Sequence, residues 1–450
     1  MHIVILGNGI SGITAARHIR KRSDHAITII SDEADFFFSR TALMYVYMGH
    51  LRFRDTQPYE DWFWEKNRIQ LRRARVERID FQAKELIIAD GENVRYDRLL
   101  LAVGSKSNKF GWPGQDLDGV RGLYSKQDLE AMENHPISRE KRADARAVVV
   151  GGGLIGIEMV EMFHSRHIPV SFLVRENDFW NNILPPEESA MVTRHLREHH
   201  IDLRLGTELK EILPTENGQV KAVQTSQGDT ISCGYVGLAV GVSPNVDFLK
   251  SGDLEINKGI LVNEYLETNQ PDVYAIGDCA ELRNPPPGRR AIEAVWYVGR
   301  IMGETVAHTV CDQRTRYNPG IWFNSAKFFD IEYQTYGDIR AQLAEGQATL
   351  YWEHPDGKKS IRINYETGSG KVVGFNLMGV RYRQEVCDKW IASGATLETV
   401  LPNLGLANFD PEFYPQHEAA LVQHYNQQTG KNLPLRRQRG LSSVLEFLKR

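Results

Sequence analysis

Two stretches of this chain, about 140 residues apart, carry the same local design. His2-Ile3-Val4-Ile5-Leu6 runs into Gly7-Asn8-Gly9-Ile10-Ser11-Gly12 and a helical Ile13-Thr14-Ala15-Ala16-Arg17-His18-Ile19; Ala147-Val148-Val149-Val150 runs into Gly151-Gly152-Gly153-Leu154-Ile155-Gly156 and Ile157-Glu158-Met159-Val160. Each is followed by a second apolar strand, Ala26-Ile27-Thr28-Ile29-Ile30 in one case and Val170-Ser171-Phe172-Leu173-Val174 in the other. One glycine-rich turn is weak evidence, but two in a strand, turn, helix, strand context read as a βαβ unit used twice. In such a unit the first glycine permits the turn, the second lets backbone approach a pyrophosphate, and the third lets helix pack on strand. The helix N-terminus presents unbonded N–H groups to the phosphates. Two units imply two dinucleotides.

The duplication reaches further. Tyr96-Asp97-Arg98-Leu99-Leu100-Leu101-Ala102-Val103-Gly104 is an apolar strand ending in glycine, and Tyr235-Val236-Gly237-Leu238-Ala239-Val240-Gly241 repeats its shape. After about residue 320 the pattern changes to short β-rich runs, such as Ala348–Trp352 and Ser360–Tyr365, followed by helical stretches. A chain of 450 residues accommodates two to four domains, and three is the central expectation. The fold class expected is α/β: two Rossmann-like βαβ domains, the second inserted in the first, plus a C-terminal α+β domain.

A net charge of -4 argues against a general grip on nucleic acid or an anionic membrane. The longest apolar run, Ala147–Ile157, is too short to span a bilayer, and the N-terminus has no leader pattern, so a cytoplasmic protein is expected. The cysteines are Cys233, Cys279, Cys311 and Cys387, with no C-x-x-C, which excludes a disulfide scaffold and a cysteine zinc site. They read as buried small residues. His195, His199 and His200 lie on one predicted helix, but with no third ligand in view they read as a solvated face, and no metal site is assigned.

At Thr268-Asn269-Gln270-Pro271-Asp272-Val273-Tyr274-Ala275-Ile276-Gly277-Asp278-Cys279-Ala280 the chain resembles the second flavin motif of the pyridine nucleotide-disulfide oxidoreductase flavoproteins. With the two glycine turns, the resemblance covers essentially the whole length. It implies FAD on the first unit and NAD(P)H on the second. It also implies an FAD domain split into residues 1–115 and 246–318, an NAD(P)H domain over 116–245, and a C-terminal interface-like domain over 319–450.

For FAD the resemblance implicates the turn glycines Gly7, Gly9 and Gly12, then Ala102 and Gly104 at the later strand end, and Gly277 with Asp278, whose carboxylate would contact the ribityl chain. Ser31-Asp32-Glu33 and Phe38-Ser39-Arg40 are similar to the branch of ferredoxin and rubredoxin reductases, nitrite reductase large subunits and apoptosis-inducing factor. Asp32 follows Gly12 at the spacing of a ribose-binding carboxylate; Glu33 belongs to the same segment, and Arg40 would lie along the pyrophosphate. Val76 matches a position that holds the adenine by its backbone, and Trp296 could flank the isoalloxazine. This chain departs from the branch at Arg40-Thr41-Ala42-Leu43-Met44-Tyr45, which lacks the usual lysine.

For NAD(P)H the corresponding residues are Gly151, Gly153 and Gly156, with Gly241 as a close backbone approach to the nicotinamide. Glu158 matches a position that orients the nicotinamide amide; Glu158 and Trp296 are the catalytic candidates. The second strand ends Leu173-Val174-Arg175-Glu176, with Val174 where a carboxylate usually selects NAD, and Arg175 beside it leans the reading toward NADPH.

Relatives that reduce disulfides or peroxide keep one or two cysteines after the first unit, and this chain has none before Cys233. A thiol relay is excluded at that place. The leading reading is an FAD-dependent NAD(P)H oxidoreductase that passes electrons directly to an iron–sulfur or rubredoxin-type protein or another small acceptor. Arg72-Arg73-Ala74-Arg75 reads as a solvated face that could dock an acidic carrier. Two alternatives stay open. Arg436, Arg437 and Arg439 precede a stripe of Leu441, Val444, Leu445 and Leu448, as in a peripheral-membrane quinone reductase, which is the less favoured option. The other is a flavin-bearing binding or signalling protein that responds to NAD(P)H. A homodimer is kept open through the C-terminal domain.

Overall fold

The computed structural model describes residues 1–139, 146–250, 252–409, 413, 415–436, 445 and 447. They form two units: one of residues 1–151, 162–170 and 209–319, the other of residues 152–161, 171–208 and 320–450.

The first unit is built on a five-stranded parallel sheet, in the order Val273–Ala275, Arg98–Leu101, His2–Leu6, Ala26–Ser31 and Ile69–Arg73. Ile3, Val4, Ile5, Leu99, Leu100 and Leu101 are buried without exposure. Unbroken apolar runs of this kind suit a parallel sheet covered on both faces. Helix Ile10–Arg20 lies against helix Trp296–Thr309, and glycines set how close they come: a Cβ on Gly303 would meet the Ser11 carbonyl at 2.5 Å, and one on Gly299 the Ser11 hydroxyl at 2.7 Å. Ala147–Val150, Tyr235–Leu238 and Val120–Arg121 also run parallel in this unit.

In the second unit, strands Ser171–Leu173 and Asp202–Arg204 pair in parallel. Residues from 323 onward form a five-stranded antiparallel sheet in the order Phe323–Phe328, Ile331–Gly337, Val372–Met378, Ser360–Glu366 and Gln347–Glu353. Both β-rich runs read from the sequence are strands here. One face buries Ile361, Ile363, Phe375 and Leu377 against Trp390 of helix Gln384–Ala392 and Leu421 of helix Glu418–Thr429. Replacing a ring such as Phe375 by alanine in such a core costs about 3–5 kcal/mol.

The tail stripe falls mostly on residues 437–444 and 448–450, outside the described residues. Of what is described, Leu445 is exposed, while Phe447 packs against Trp390 and its carbonyl accepts from Lys389 Nζ at 2.6 Å. No helix of the described residues is long and apolar enough to cross a membrane.

Candidate functional site

The two glycine turns have the same backbone solution. Gly7 and Gly151 have φ of 116° and 112°, where a side chain is strained, and a Cβ on either would strike a carbonyl at the end of the neighbouring parallel strand, Ala102 for Gly7 and Ala239 for Gly151. The neighbouring strands are clasped alike: Ala102 N–H donates to Leu6 and Ala239 N–H to Val150, both at 2.8 Å. The second glycine of each turn, Gly9 and Gly153, faces open space, as a backbone must if a pyrophosphate is to approach it. At Gly12 a Cβ would fall on the Gly7 carbonyl.

Helix Ile10–Arg20 begins without a side-chain cap at Gly9 and without an acidic residue in its first turn. Its leading N–H groups and the positive end of its dipole are left for an anion. Buried Asn8 pins the turn by donating to the Ala34 carbonyl at 2.8 Å, just beyond the second strand.

Around this turn the first unit assembles a charged network. Arg40 grips Glu33 with both terminal nitrogens, at 2.8 and 2.6 Å, and donates to the Tyr124 carbonyl at 2.5 Å. Its guanidinium also lies over the Tyr124 ring at 4.5 Å. Glu33 accepts in addition from the Lys126 N–H at 2.9 Å. Half-buried Asp278, in the short turn Gly277–Cys279, accepts from the Tyr124 hydroxyl at 3.2 Å and the Ser105 hydroxyl at 3.3 Å. Burial pushes the Asp278 carboxyl up, and the two hydroxyl bonds hold it back. Burial also pushes the Tyr124 phenol up, so it stays a donor.

The structure thus brings Gly7, Gly9, Gly12, Glu33, Arg40, Ala102, Gly104, Gly277 and Asp278 into one unit around one turn. Asp32 is exposed at the end of strand Ala26–Ser31, and Val76 is buried at the start of strand Val76–Asp80. Trp296 is half-buried and is the first residue of its helix. Sequence reasoning missed Tyr124 and Ser105. The signal for Tyr124 was its neighbour: Ser125 and Asp128 form a capping box at helix Lys126–Asn134, a pattern visible as Ser-x-x-Asp.

At the second turn the surroundings are barer. Val174, fully buried, sits beneath the turn, where a Cβ on Gly152 would meet it at 2.7 Å. Arg175 is exposed and paired with Glu176 at 2.8 Å, so its guanidinium already has an anion. Glu158 is half-buried on helix Leu154–Ser165, and burial, with Glu161 nearby, pushes its carboxyl up to about 7. Glu161 is buried and bonded to Lys327 Nζ at 2.8 Å, a partner that no local pattern reveals. Gly241 has φ of 90°, with Asn108 beside it.

Cys233, Cys279 and Cys387 are buried, as expected, and Cys311 is only half-buried. Burial pushes the Cys279 thiol up to about 12, and its Sγ donates to the Ile276 and Leu101 carbonyls. The basic run is partly engaged: Arg72 donates to the Glu92 carbonyl at 2.6 Å and Arg73 pairs with Asp35.

The chain is similar to rubredoxin-NAD(+) reductase of Acinetobacter baylyi, 31% identical over 293 residues that cover 63% of this chain and 73% of the relative. It is 28% identical to rhodocoxin reductase of Rhodococcus erythropolis over 338 residues, covering 73% and 76% of the two chains. In three dimensions it matches a ferredoxin reductase from Rhodopseudomonas palustris with a TM-score of 0.75 at 23% identity, over 84% of this chain and 91% of that one. A profile described as pyridine nucleotide-disulphide oxidoreductase matches residues 1–306, more than half the sequence. The chain therefore belongs to the pyridine nucleotide-disulphide oxidoreductase family and is an NAD(P)H oxidoreductase.

Proposed function

We propose that the protein is an FAD-dependent reductase that takes hydride from a nicotinamide nucleotide and delivers electrons directly to a small redox protein, without a disulfide. The observation that carries this reading is the pair of glycine turns with one shared geometry, the first of them with no cysteine in reach along the chain before residue 233. Bound at the first turn, FAD supplies a two-electron acceptor for NAD(P)H and an outlet to a one-electron carrier.

The chain's own residues divide the work. Gly9 and the uncapped helix Ile10–Arg20 hold the pyrophosphate, with Arg40, kept in place by Glu33, supplying positive charge along it. Asp32 binds the adenosine ribose and Val76 the adenine through its backbone. Asp278, oriented by Tyr124 and Ser105, accepts hydrogen bonds from the ribityl chain. Ala102, Gly104 and Gly277 let backbone come close to the flavin, and Trp296 screens the ring from water. Gly151, Gly153, Gly156 and Gly241 do the same for the nicotinamide nucleotide, and Glu158 orients its amide. On this reading residues 1–115 and 246–318 form the FAD domain, 116–245 the nicotinamide domain and 319–450 the interface-like domain.

The sequence leans to NADPH through Arg175. Its pairing with Glu176, which would repel a 2′-phosphate, and the NAD(+) in the name of the Acinetobacter relative favour NADH as donor instead. A rubredoxin-type or iron–sulfur carrier is the proposed partner, as the names of the relatives suggest. The test is anaerobic reduction by NADH and by NADPH, followed by mixing with oxidised rubredoxin, ferredoxin or a quinone. Bleaching by NADH and reoxidation by an iron protein support the reading. A long-lived reduced complex that no carrier discharges would point to the signalling alternative, and discharge by quinone alone to the membrane one.

A further inference from the structure

We propose that His195, His199 and Asp330 form a binding site for a divalent transition-metal ion, and that zinc is the ion this donor set suits. All three belong to the second unit. His195 and His199 stand one turn apart at the C-terminal end of helix Pro186–Glu198, where His199 is the capping residue. Asp330 sits in the two-residue hairpin loop between strands Phe323–Phe328 and Ile331–Gly337. One donor atom from each lies within 4.8 Å of the others.

The sequence reading of these histidines as a solvated face is corrected at His195, which is 2% exposed and whose ring nitrogens make no hydrogen bond. Its Nε2 is in direct contact with Asp330 Oδ1, a separation that must widen for the two to share an ion. His199 Nε2 lies 3.4 Å from the same oxygen, close to the about 3.3 Å that separates ligands around tetrahedral zinc.

The surroundings hold the ligands in place. Phe329 stacks on the His199 ring at 4.6 Å and 28° and fixes its plane. Lys358 Nζ donates to Asp330 Oδ2 at 3.1 Å, which leaves Oδ1 for a monodentate bond. Phe329 itself has φ of 55°, a left-handed conformation rare for an aromatic residue, and this turn is what presents Asp330 toward the helix. The negative end of the helix dipole favours a cation at this end. His199 and Asp330 are partly exposed, so an ion can enter and water can complete the coordination. Such an ion would clamp helix Pro186–Glu198 to the hairpin.

The test uses the full chain with its bound flavin, stripped with a chelator, dialysed against zinc and counted for metal per chain. Competition with a chromogenic chelator gives the affinity. Wild type and His200→Ala, whose exposed imidazole lies off the site, should hold one zinc. His199→Ala and Asp330→Asn, which leave the buried ring in place, should each bind about tenfold or more weakly, since loss of even an outer partner costs that much. Zinc should raise the thermal midpoint of wild type and not of these two variants. Equal zinc binding by wild type, His199→Ala and Asp330→Asn would overturn the proposal. So would wild-type uptake no greater than that of the His195→Ala/His199→Ala double variant.

Discussion

The first and second glycine turns share a backbone and differ in everything placed around them. At the first, Glu33, Arg40, Tyr124, Ser105 and Asp278 interlock by hydrogen bonds drawn from segments up to 173 residues apart. At the second, the strand end offers an exposed Arg175–Glu176 pair over buried Val174. A permanently held cofactor needs a preorganised, many-sided grip, whereas a co-substrate that must leave each turnover is better served by a pre-formed turn and few anchors. On the proposed reading, the duplicated motif sets where a nucleotide binds, and the unduplicated surroundings set how long it stays.

The sharpest way to break the comparison is to fill each turn in the same way. Gly7→Ala and Gly151→Ala should each cost about 3 kcal/mol in strain and clash, about a hundredfold in binding. Gly7→Ala should yield protein largely free of flavin. Gly151→Ala should keep its flavin and lose rapid reduction by NADH. Absorbance of the purified proteins and anaerobic stopped-flow mixing separate the two outcomes; retention of flavin by Gly7→Ala would break the assignment of the turns.

Next in size is Arg40→Ala. It strands the Glu33 carboxylate in a partly buried site and should cost about 2–3 kcal/mol, seen as a lower thermal midpoint and faster flavin loss on dilution. The second turn should then respond to pH near neutrality. Glu158 sits at about 7 in the fold against an ordinary 4.5, so the folded chain binds the extra proton. The stability it contributes is complete below about 4.5 and is lost as pH rises through about 7. Relative to wild type, Glu158→Gln should gain about 3 kcal/mol by pH 8, and the KM for NADH should lose its pH dependence near neutrality. Denaturant melts at pH 5 and pH 8 test the first effect and steady-state profiles the second. Smallest is Arg175→Ala. Its exposed pair is worth under about 1 kcal/mol, so the ratio of kcat/KM for NADPH and NADH should move by less than about fivefold; a larger fall in NADPH use would restore Arg175 as a phosphate ligand.

What the sequence made legible follows from what is local. The glycines, the unbroken apolar strands beside them and the Gly277–Asp278 segment are each written within a dozen residues, and the structure forms turns and strands there. Tyr124 was not legible as the partner of Arg40, 84 residues away, nor Lys327 as the partner of Glu161, because tertiary packing rather than periodicity creates those pairs. Asp330 escaped for the same reason: it is 131 residues from His199 and reaches it only through a hairpin turn. Arg175 was placed correctly in the chain, but its engagement by the adjacent Glu176 depends on rotamers that spacing does not encode.

The central claim is that electrons leave the flavin with no thiol pair as a way station. Anaerobic titration of the holoprotein with NADH, followed by oxidised rubredoxin, tests it most directly. The account predicts complete flavin reduction at one equivalent of NADH per chain and reoxidation by two equivalents of the one-electron carrier. Uptake of a second equivalent of NADH before reduction is complete, with thiols appearing as it is consumed, would contradict it.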